Sequence, residues 1–299
     1  MIVTRAHPRA GLLGNPSDLY GGRGVGFAFS NFSVELELEA GGDGEIAPDL
    51  VRVAWEAFCE RCGVGRCEPF TVRLATDIPR QAGLAGSSAI VIAALRAFSR
   101  WCSRELATHE LAELALHVEN DRLGIRAGPM DRLVQAHEGL VAMDFARPFE
   151  PESTERLDTR LLPPLLIAID PEPGQPSGQV HAPVWERYQA GDPDVREVMR
   201  EYRPLVERGL GALLRGDLAT LMECVNHNFD LRARLFTIGE RDALMIALGR
   251  DSGGATKFCG SGGAVLAVAA DRERLARLHA DYQGCGFTVI LPEVVGPCA

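Results

Sequence analysis

The sequence predicts an α+β fold. Three observations lead there: a strand of strictly alternating polarity near the N-terminus, strands and helices in clusters rather than in regular alternation, and a polar, proline-punctuated stretch near the middle. Val34, Leu36 and Leu38 alternate with Glu35, Glu37 and Glu39, the period of a half-buried strand, and the glycine-rich GVGF before it reads as a turn. PDLVRVAWEAFCERCG carries helical spacing and stops at Gly63. FTVRLATDIP is a second strand, and it runs into IPRQAGLAGSSAIVIAAL, a glycine-serine hinge followed by a mostly buried helix with Ser87 or Ser88 near its N-cap.

THELAELALHVENDRLG then places Leu111, Leu114, Ala115 and Val118 on one helix face, with Gly124 as the stop. IRAGPMDRLVQAHEGLVAMDF reads as loop, short helix and strand. ARPFEPESTERLDTRLLPP is the boundary, which divides the chain into domains 1–155 and 156–299. Beyond it come the short buried strand LLIAID, an irregular PEPGQPSGQVHAP, helices over 183–250, a glycine-broken strand pair in TKFCGSGGAVLAVAA, and a closing helix and strand.

The composition excludes several classes. With 299 residues, 46% hydrophobic and 24% charged, the chain can bury a sizeable core. A formal net charge of −10 argues against nucleic acid or an anionic membrane as partner. No apolar run approaches a membrane span, and MIVTRAHPRAGLLGNPSD lacks a signal-peptide layout, so a cytoplasmic protein is expected. Eight scattered cysteines fit free thiols. Cys59, Cys62 and Cys67 are clustered, but a zinc site would need a fourth ligand, and none follows at ligand-like spacing.

Three glycine-rich elements remain: residues 11–26, 83–89 and 260–264. None ends in G-K-[S/T], and Gly22, Gly24 and Gly26 precede a strand instead of joining strand to helix, which disposes of a nicotinamide-dependent dehydrogenase. Each alone is an ordinary turn. The 83–89 loop has more to offer, because glycines admit a close anion, a helix start presents free N–H groups, and two serines add hydroxyls. A phosphate-bound Mg²⁺ would need a carboxylate as well. Glu119, beside the apolar face of its helix, and Asp131, at a helix start, both lie downstream.

RAGLLGNPSDLYGG, IPRQAGLAGSSA and TKFCGSGGA, in that order and spacing, are similar to the three signature motifs of the GHMP kinases, and within them the chain most resembles the glucuronokinases. PSGQVHAPV and NFDLRARLF add to that likeness. The resemblance implies a two-lobed fold, with a ribosomal-protein-S5-domain-2-like N-terminal lobe and a ferredoxin-like C-terminal lobe. It implies an ATP- and Mg²⁺-dependent kinase of the anomeric hydroxyl of a sugar, D-glucuronate first. A neutral hexose of mannose or galactose type is the alternative acceptor, and a non-catalytic ATP- or sugar-binding member is the rival class.

On the same resemblance, Asp131 is the base and Arg9 the cation beside it. Gly83, Leu84, Ala85, Gly86, Ser87 and Ser88 wrap the ATP phosphates, Ser88 and Glu119 hold the metal, and Asp18 binds sugar hydroxyls. Gly260, Ser261, Gly262 and Gly263 close over the phosphate loop. Arg23 and Arg126 are candidates for a uronate carboxylate, and His181 for a further substrate contact. The expected assembly is a monomer or homodimer. The chain departs from the pattern in two places: Gly14-Asn15-Pro16 replaces G-E-H, and Ala85 stands where a glycine is usual.

Overall fold

The computed structural model describes residues 1–42, 46–65, 67–172 and 177–296. The chain opens with strands β1 (Ile2–Ala6), β2 (Arg9–Leu13), β3 (Arg23–Ala28) and β4 (Val34–Ala40), followed by helix α1 (Asp49–Cys62) and strand β5 (Phe70–Thr76). Helices α2 (Gly86–Trp101), α3 (Thr108–His117) and α4 (Met130–His137) come next, then strands β6 (Leu140–Asp144) and β7 (Thr154–Leu157). Two antiparallel sheets result, ordered β1-β4-β5 and β2-β3-β6-β7. In β4 the alternation behaves as its period demands: Val34, Leu36 and Leu38 are fully buried, while the glutamates between them are not. Trp55 and Phe58 of α1 meet Phe70 of β5 and Phe98 of α2, with Trp55 at 4.9 Å from Phe98 and 5.1 Å from Phe70, centroid to centroid. Edge-to-face aromatic pairs of this kind add about 0.5–1.5 kcal/mol each beyond their buried area.

The second half holds β8 (Leu165–Ile169), four helices α5 (Ser177–Gln189), α6 (Pro193–Arg215), α7 (Leu218–Ala233) and α8 (Glu240–Asp251), strands β9 (Ala255–Phe258) and β10 (Ala264–Val268), helix α9 (Arg272–Gly284) and strand β11 (Thr288–Ile290). Its sheet runs β11-β8-β10-β9, all antiparallel, a β-α-β-β-α-β unit of ferredoxin-like kind with extra helices in the first crossover. The α+β class and the two-lobed layout match the expectation. No helix among the described residues is long and apolar enough to cross a membrane.

Two sequence expectations are corrected. GVGFA is strand β3, not a turn, because its glycines carry no side chains to display an alternation. A Cβ on Gly24 would overlap Met130 Cε, and one on Gly26 would stand 3.0 Å from Val134, so the bare strand is what lets α4 lie against it. The stretch containing PSGQVHAP is helical from Ser177, with Pro183 inside the helix; residues 173–176 of the expected loop lie outside the described ones. Helix α2 is capped by Ala85, and Ser87 and Ser88 lie near that cap, in the first turn, as expected. The expected division after residue 155 falls within β7, which pairs with β6, and the next strand begins at Leu165. The C-terminal segment also returns to the first lobe, where Val295 N donates to Ala28 O at 3.0 Å.

Candidate active site

The phosphate-loop candidate ends in a residue of rare conformation. Ala85 sits at φ 64°, ψ 39°, in the left-handed region, and no side chain caps the helix that follows. The first turn of α2 contains no acid, and its helical ladder starts with Ala89 N to Ala85 O at 3.0 Å. The amides of Gly86, Ser87 and Ser88 thus have no helical acceptor and sit at the positive end of a 16-residue helix. Ser87 is exposed and Ser88 buried. Gln135 of α4 donates to Ala85 O at 2.9 Å and to His7 O at 3.0 Å, which ties the strained turn to the helix that carries Asp131.

The third motif packs directly on this loop. Gly83 has φ +66°, and a Cβ there would collide with Gly262 O, while a Cβ on Gly260 would collide with Gly83 O and the Arg9 guanidinium. Glycine faces glycine because neither backbone has room for a side chain. Asp242 fixes the far end of the motif by accepting from Gly263 N at 2.9 Å. Cys259, within the motif, is fully buried, and burial pushes its thiol up to about 12, which makes it inert as a nucleophile.

Arg9 joins both loops to the carboxylate. It is 5% exposed, and its Nε donates to Asp131 Oδ1 at 2.6 Å. Its Nη1 donates to Gly83 O at 2.7 Å and to Cys259 O at 3.2 Å. Asp131 occupies the first turn of α4, where the helix dipole also favours a negative charge. Burial by itself would raise this carboxyl, but Arg9 and Arg132 outweigh burial and hold it below its ordinary value. Asp18, in the short helical turn Ser17–Tyr20, behaves oppositely. Burial and the neighbouring Asp131 charge raise it to about 6, against a weaker opposing bond from Met130 N at 3.3 Å. Gly128 gives it space, since a Cβ there would overlap the Asp18 carboxylate. Two adjacent carboxylates are thereby driven apart in acidity, a frequent property of catalytic pairs.

Arg132 escaped the sequence reading. It is 3% exposed, donates through Nε to Glu119 Oε2 at 2.7 Å, pairs again with Glu119 through Nη2, and stands 3.7 Å from Asp131 Oδ2. Its only sequence signal was adjacency to Asp131 on a helix start. Glu119 is 1% exposed and begins the second position of a π-helical turn, Val118–Arg122, that extends α3. Such turns recur at functional sites. The bonds to Glu119 fall on Oε2, so Oε1 has no protein donor among the described residues.

The remaining candidates separate into two groups. His181 lies on α5, where burial and Arg232 depress it to about 3 against the opposing Asp131 charge. Its ring packs edge-on to Phe236 at 5.7 Å. Arg126 is exposed and lies over the Trp185 ring at 5.1 Å, while Trp185 and Tyr188 pack against Tyr20. Arg23 is already engaged, with Asp144 at 3.7 Å and Glu207 at 3.4 Å. Arg232, on α7, was not singled out. It is 2% exposed and donates to Ser261 O at 2.8 Å.

The first motif is locked by the second lobe. Gly14 N donates to Asn228 Oδ1 at 2.6 Å, and Asn228 Nδ2 to Asn15 O at 3.0 Å. Lys257 is buried, and its ammonium reaches Gly11 O at 2.6 Å, Asn15 Oδ1 at 2.5 Å and Phe258 O at 2.7 Å. Three N–H groups meet three oxygens with no acid at hand, and burial pushes this amine down to about 7. Neither residue was legible as a site element, because both act across the lobe junction.

A metal can be tested against the donor set. Among the described residues no three His, Cys, Asp or Glu side chains gather as a metal cage, Cys59, Cys62 and Cys67 included. Mg²⁺ does not need one: it keeps waters and phosphate oxygens and takes one or two protein ligands. The Ser88 hydroxyl and the free Oε1 of Glu119 are oxygen donors of the kind it uses.

A helix start with free amides, an arginine-held carboxylate and a third loop packed on the first are the kind of parts that a phosphotransferase uses. Residues 49–139 match the model of the GHMP kinases N terminal domain. The chain is 32% identical to Glucuronokinase 1 of Arabidopsis thaliana, over 99% of this chain and 93% of that protein. Among solved structures, a Lin0012 protein from Listeria innocua superposes with TM-score 0.84 at 15% identity, covering 99% and 98% of the two chains. Streptococcus pneumoniae phosphomevalonate kinase, solved with phosphomevalonate and AMPPNP, does so with TM-score 0.82 at 16% identity, covering 99% and 100%. The chain belongs to the GHMP kinase superfamily and is glucuronokinase-like. It is an enzyme, a phosphotransferase with an alcohol group as acceptor.

Proposed function

We propose that this enzyme phosphorylates the anomeric hydroxyl of D-glucuronate with ATP, giving glucuronate 1-phosphate. The observation that carries the reading is Arg9 bonded at once to Asp131, Gly83 O and Cys259 O, which brings base, phosphate loop and third motif to one point. The likeness to Glucuronokinase 1 along almost the whole chain supports the choice of sugar.

In this reading the backbone of Gly83 to Ser88 receives the triphosphate, and the amides of Gly86, Ser87 and Ser88 donate to it. Ser88 and Glu119 are the protein ligands of Mg²⁺, which when bound neutralises phosphate charge. Asp18 accepts from sugar hydroxyls and orients the acceptor. Asp131 takes the proton of the anomeric hydroxyl as the oxygen attacks phosphorus in line. Arg9 keeps Asp131 ionised and adds positive charge where the transferring phosphoryl group passes. Gly260 to Gly263 hold the phosphate loop in place, with Arg126 and His181 at the acceptor side. Cytoplasmic residence and a monomeric or homodimeric state belong to the same proposal.

The test is ADP release with Mg²⁺-ATP on glucuronate, galacturonate, galactose, mannose and glucose, with Asp131→Asn as control. Asp131-dependent turnover on glucuronate above all others supports the reading. Turnover confined to a neutral hexose rejects the substrate and leaves the kinase.

A further inference from the structure

A uronate brings a negative charge into a site that already holds Asp18 and Asp131, so it needs a cation that no protein acid has claimed. Three arginines of the first lobe are occupied: Arg9 by Asp131, Arg132 by Glu119 and Arg23 by Asp144 and Glu207. Arg232 differs. Although buried, it has no acidic partner within ion-pair distance among the described residues, and the bonds it makes go to backbone oxygens. Its guanidinium is wedged between Phe236, 4.5 Å from the ring centre, and Phe258, 5.2 Å away, which fixes its plane. The third motif takes one firm and one long bond from its terminal nitrogens, to Ser261 O at 2.8 Å and Gly260 O at 3.5 Å. Its Nε is buried and has no hydrogen-bond partner.

Arg232 is not alone in this. Tyr20 Oη and His181 Nδ1 are also buried without a partner. The three orphans belong to one neighbourhood: the His181 ring packs at 5.7 Å on Phe236, the same ring that the Arg232 guanidinium covers, and Tyr20 packs at 5.7 Å on Trp185, one turn on from His181 along α5. A buried polar group without a partner costs about 1–3 kcal/mol, and three at one place point to a ligand that completes them.

We infer that Arg232, with Tyr20 and His181, forms the subsite for the acceptor's carboxylate, the Arg232 Nε–H and the Tyr20 hydroxyl donating to its oxygens. This assignment rests on the uronate reading above, and it names the residues that separate a hexuronate from its neutral counterpart. It also moves that role from Arg23 and Arg126 to a desolvated arginine, where a carboxylate is bound more strongly than at the surface.

The experiment compares glucuronate with glucuronamide, its neutral C6 counterpart, as substrates of the whole enzyme, or as inhibitors of glucuronate phosphorylation where turnover is slow. Wild type, Arg232→Gln, Arg232→Lys and Tyr20→Phe are measured together, with the KM for ATP alongside. The subsite predicts that Arg232→Gln loses about 10- to 100-fold in preference for glucuronate over the amide, the worth of a charge-assisted hydrogen bond. It predicts a smaller loss in Arg232→Lys and Tyr20→Phe, with the KM for ATP unchanged in both. These two keep the charge or the ring, and they carry the test if Arg232→Gln fails to fold. An unchanged preference across the variants, or equal losses on both compounds with a raised KM for ATP, reduces Arg232 to a prop of the third motif and overturns the subsite alone. A wild type that ignores glucuronate and phosphorylates only neutral hexoses overturns the uronate reading itself.

Discussion

Arg9 Nε and Asp131 Oδ1 stand 2.6 Å apart at the meeting point of the phosphate loop and the third motif. The pair makes Asp131 a charged acceptor at neutral pH. Asp131→Asn is expected to lower kcat by about 10²- to 10⁴-fold, the usual contribution of a positioned base, while the KM for ATP stays near its wild-type value. Steady-state kinetics at saturating sugar checks this, and wild-type turnover would remove Asp131 from the chemistry.

Asp18 is predicted to impose a pH signature. Its carboxyl ionises near 6 in the folded chain instead of at its ordinary value of 3.8. The unfolded chain therefore loses this proton first as pH rises. No penalty exists below pH 3.8, it accumulates between 3.8 and 6, and it is complete above 6. Asp18→Asn should accordingly be about 1–3 kcal/mol more stable than wild type at pH 7.5, with no advantage at pH 3.5. Thermal melts at the two pH values decide it. An advantage of equal size at both would contradict the assignment.

Gly260→Ala tests the contact between the two glycine loops. Gly260 has no left-handed φ, so the effect would come from the collision of its Cβ with Gly83 O and Arg9. Overpacking of this sort costs about 1–3 kcal/mol, and the displaced phosphate loop should raise the KM for ATP. Gly65→Ala, which has nothing within 4 Å, serves as the neutral comparison. Equal melting temperatures for the two variants would sink the idea.

Ala85→Gly should do the reverse. The left-handed region costs an alanine about 1–2 kcal/mol, and the added freedom of glycine in the unfolded chain returns about 0.4–1 kcal/mol of that. The variant is therefore expected to be as stable as wild type or slightly more so by chemical denaturation. A clear loss would mean that the Ala85 methyl makes contacts that outweigh its backbone strain.

Arg132→Met leaves Glu119 charged and buried with its Oε2 unpaired. Breaking a buried pair from one side costs about 3–5 kcal/mol, and Glu119→Gln in the same chain should recover part of it. Denaturant titration of the two single variants and the double variant measures the coupling; strict additivity would show that the pair is not the connection.

What was legible in the sequence follows a physical line. Periodicity revealed β4, α1, α2 and α3, since their side chains report the face they bury. It failed at β3, whose glycines report nothing, and at α5, where Pro183 and the glycines of 171–183 imitate a loop. In the candidate site, Gly83, Ser88, Glu119 and Asp131 stand out in the sequence by loop chemistry and helix position, whereas Arg9 is singled out only by the family resemblance. Arg132, Asn228, Arg232 and Lys257 were not legible, because each acts on residues distant in sequence, and a buried arginine looks like a solvated one until its partners are known.

The most direct test of the central claim is the identity of the product. The enzyme, ATP, Mg²⁺ and carbon-13-labelled glucuronate are incubated, and the product is followed by phosphorus and carbon NMR. The account predicts one phosphate ester on C1, carried by the wild type and missing with Asp131→Asn. An ester at another carbon, or glucuronate left intact while a neutral hexose is phosphorylated, would contradict it.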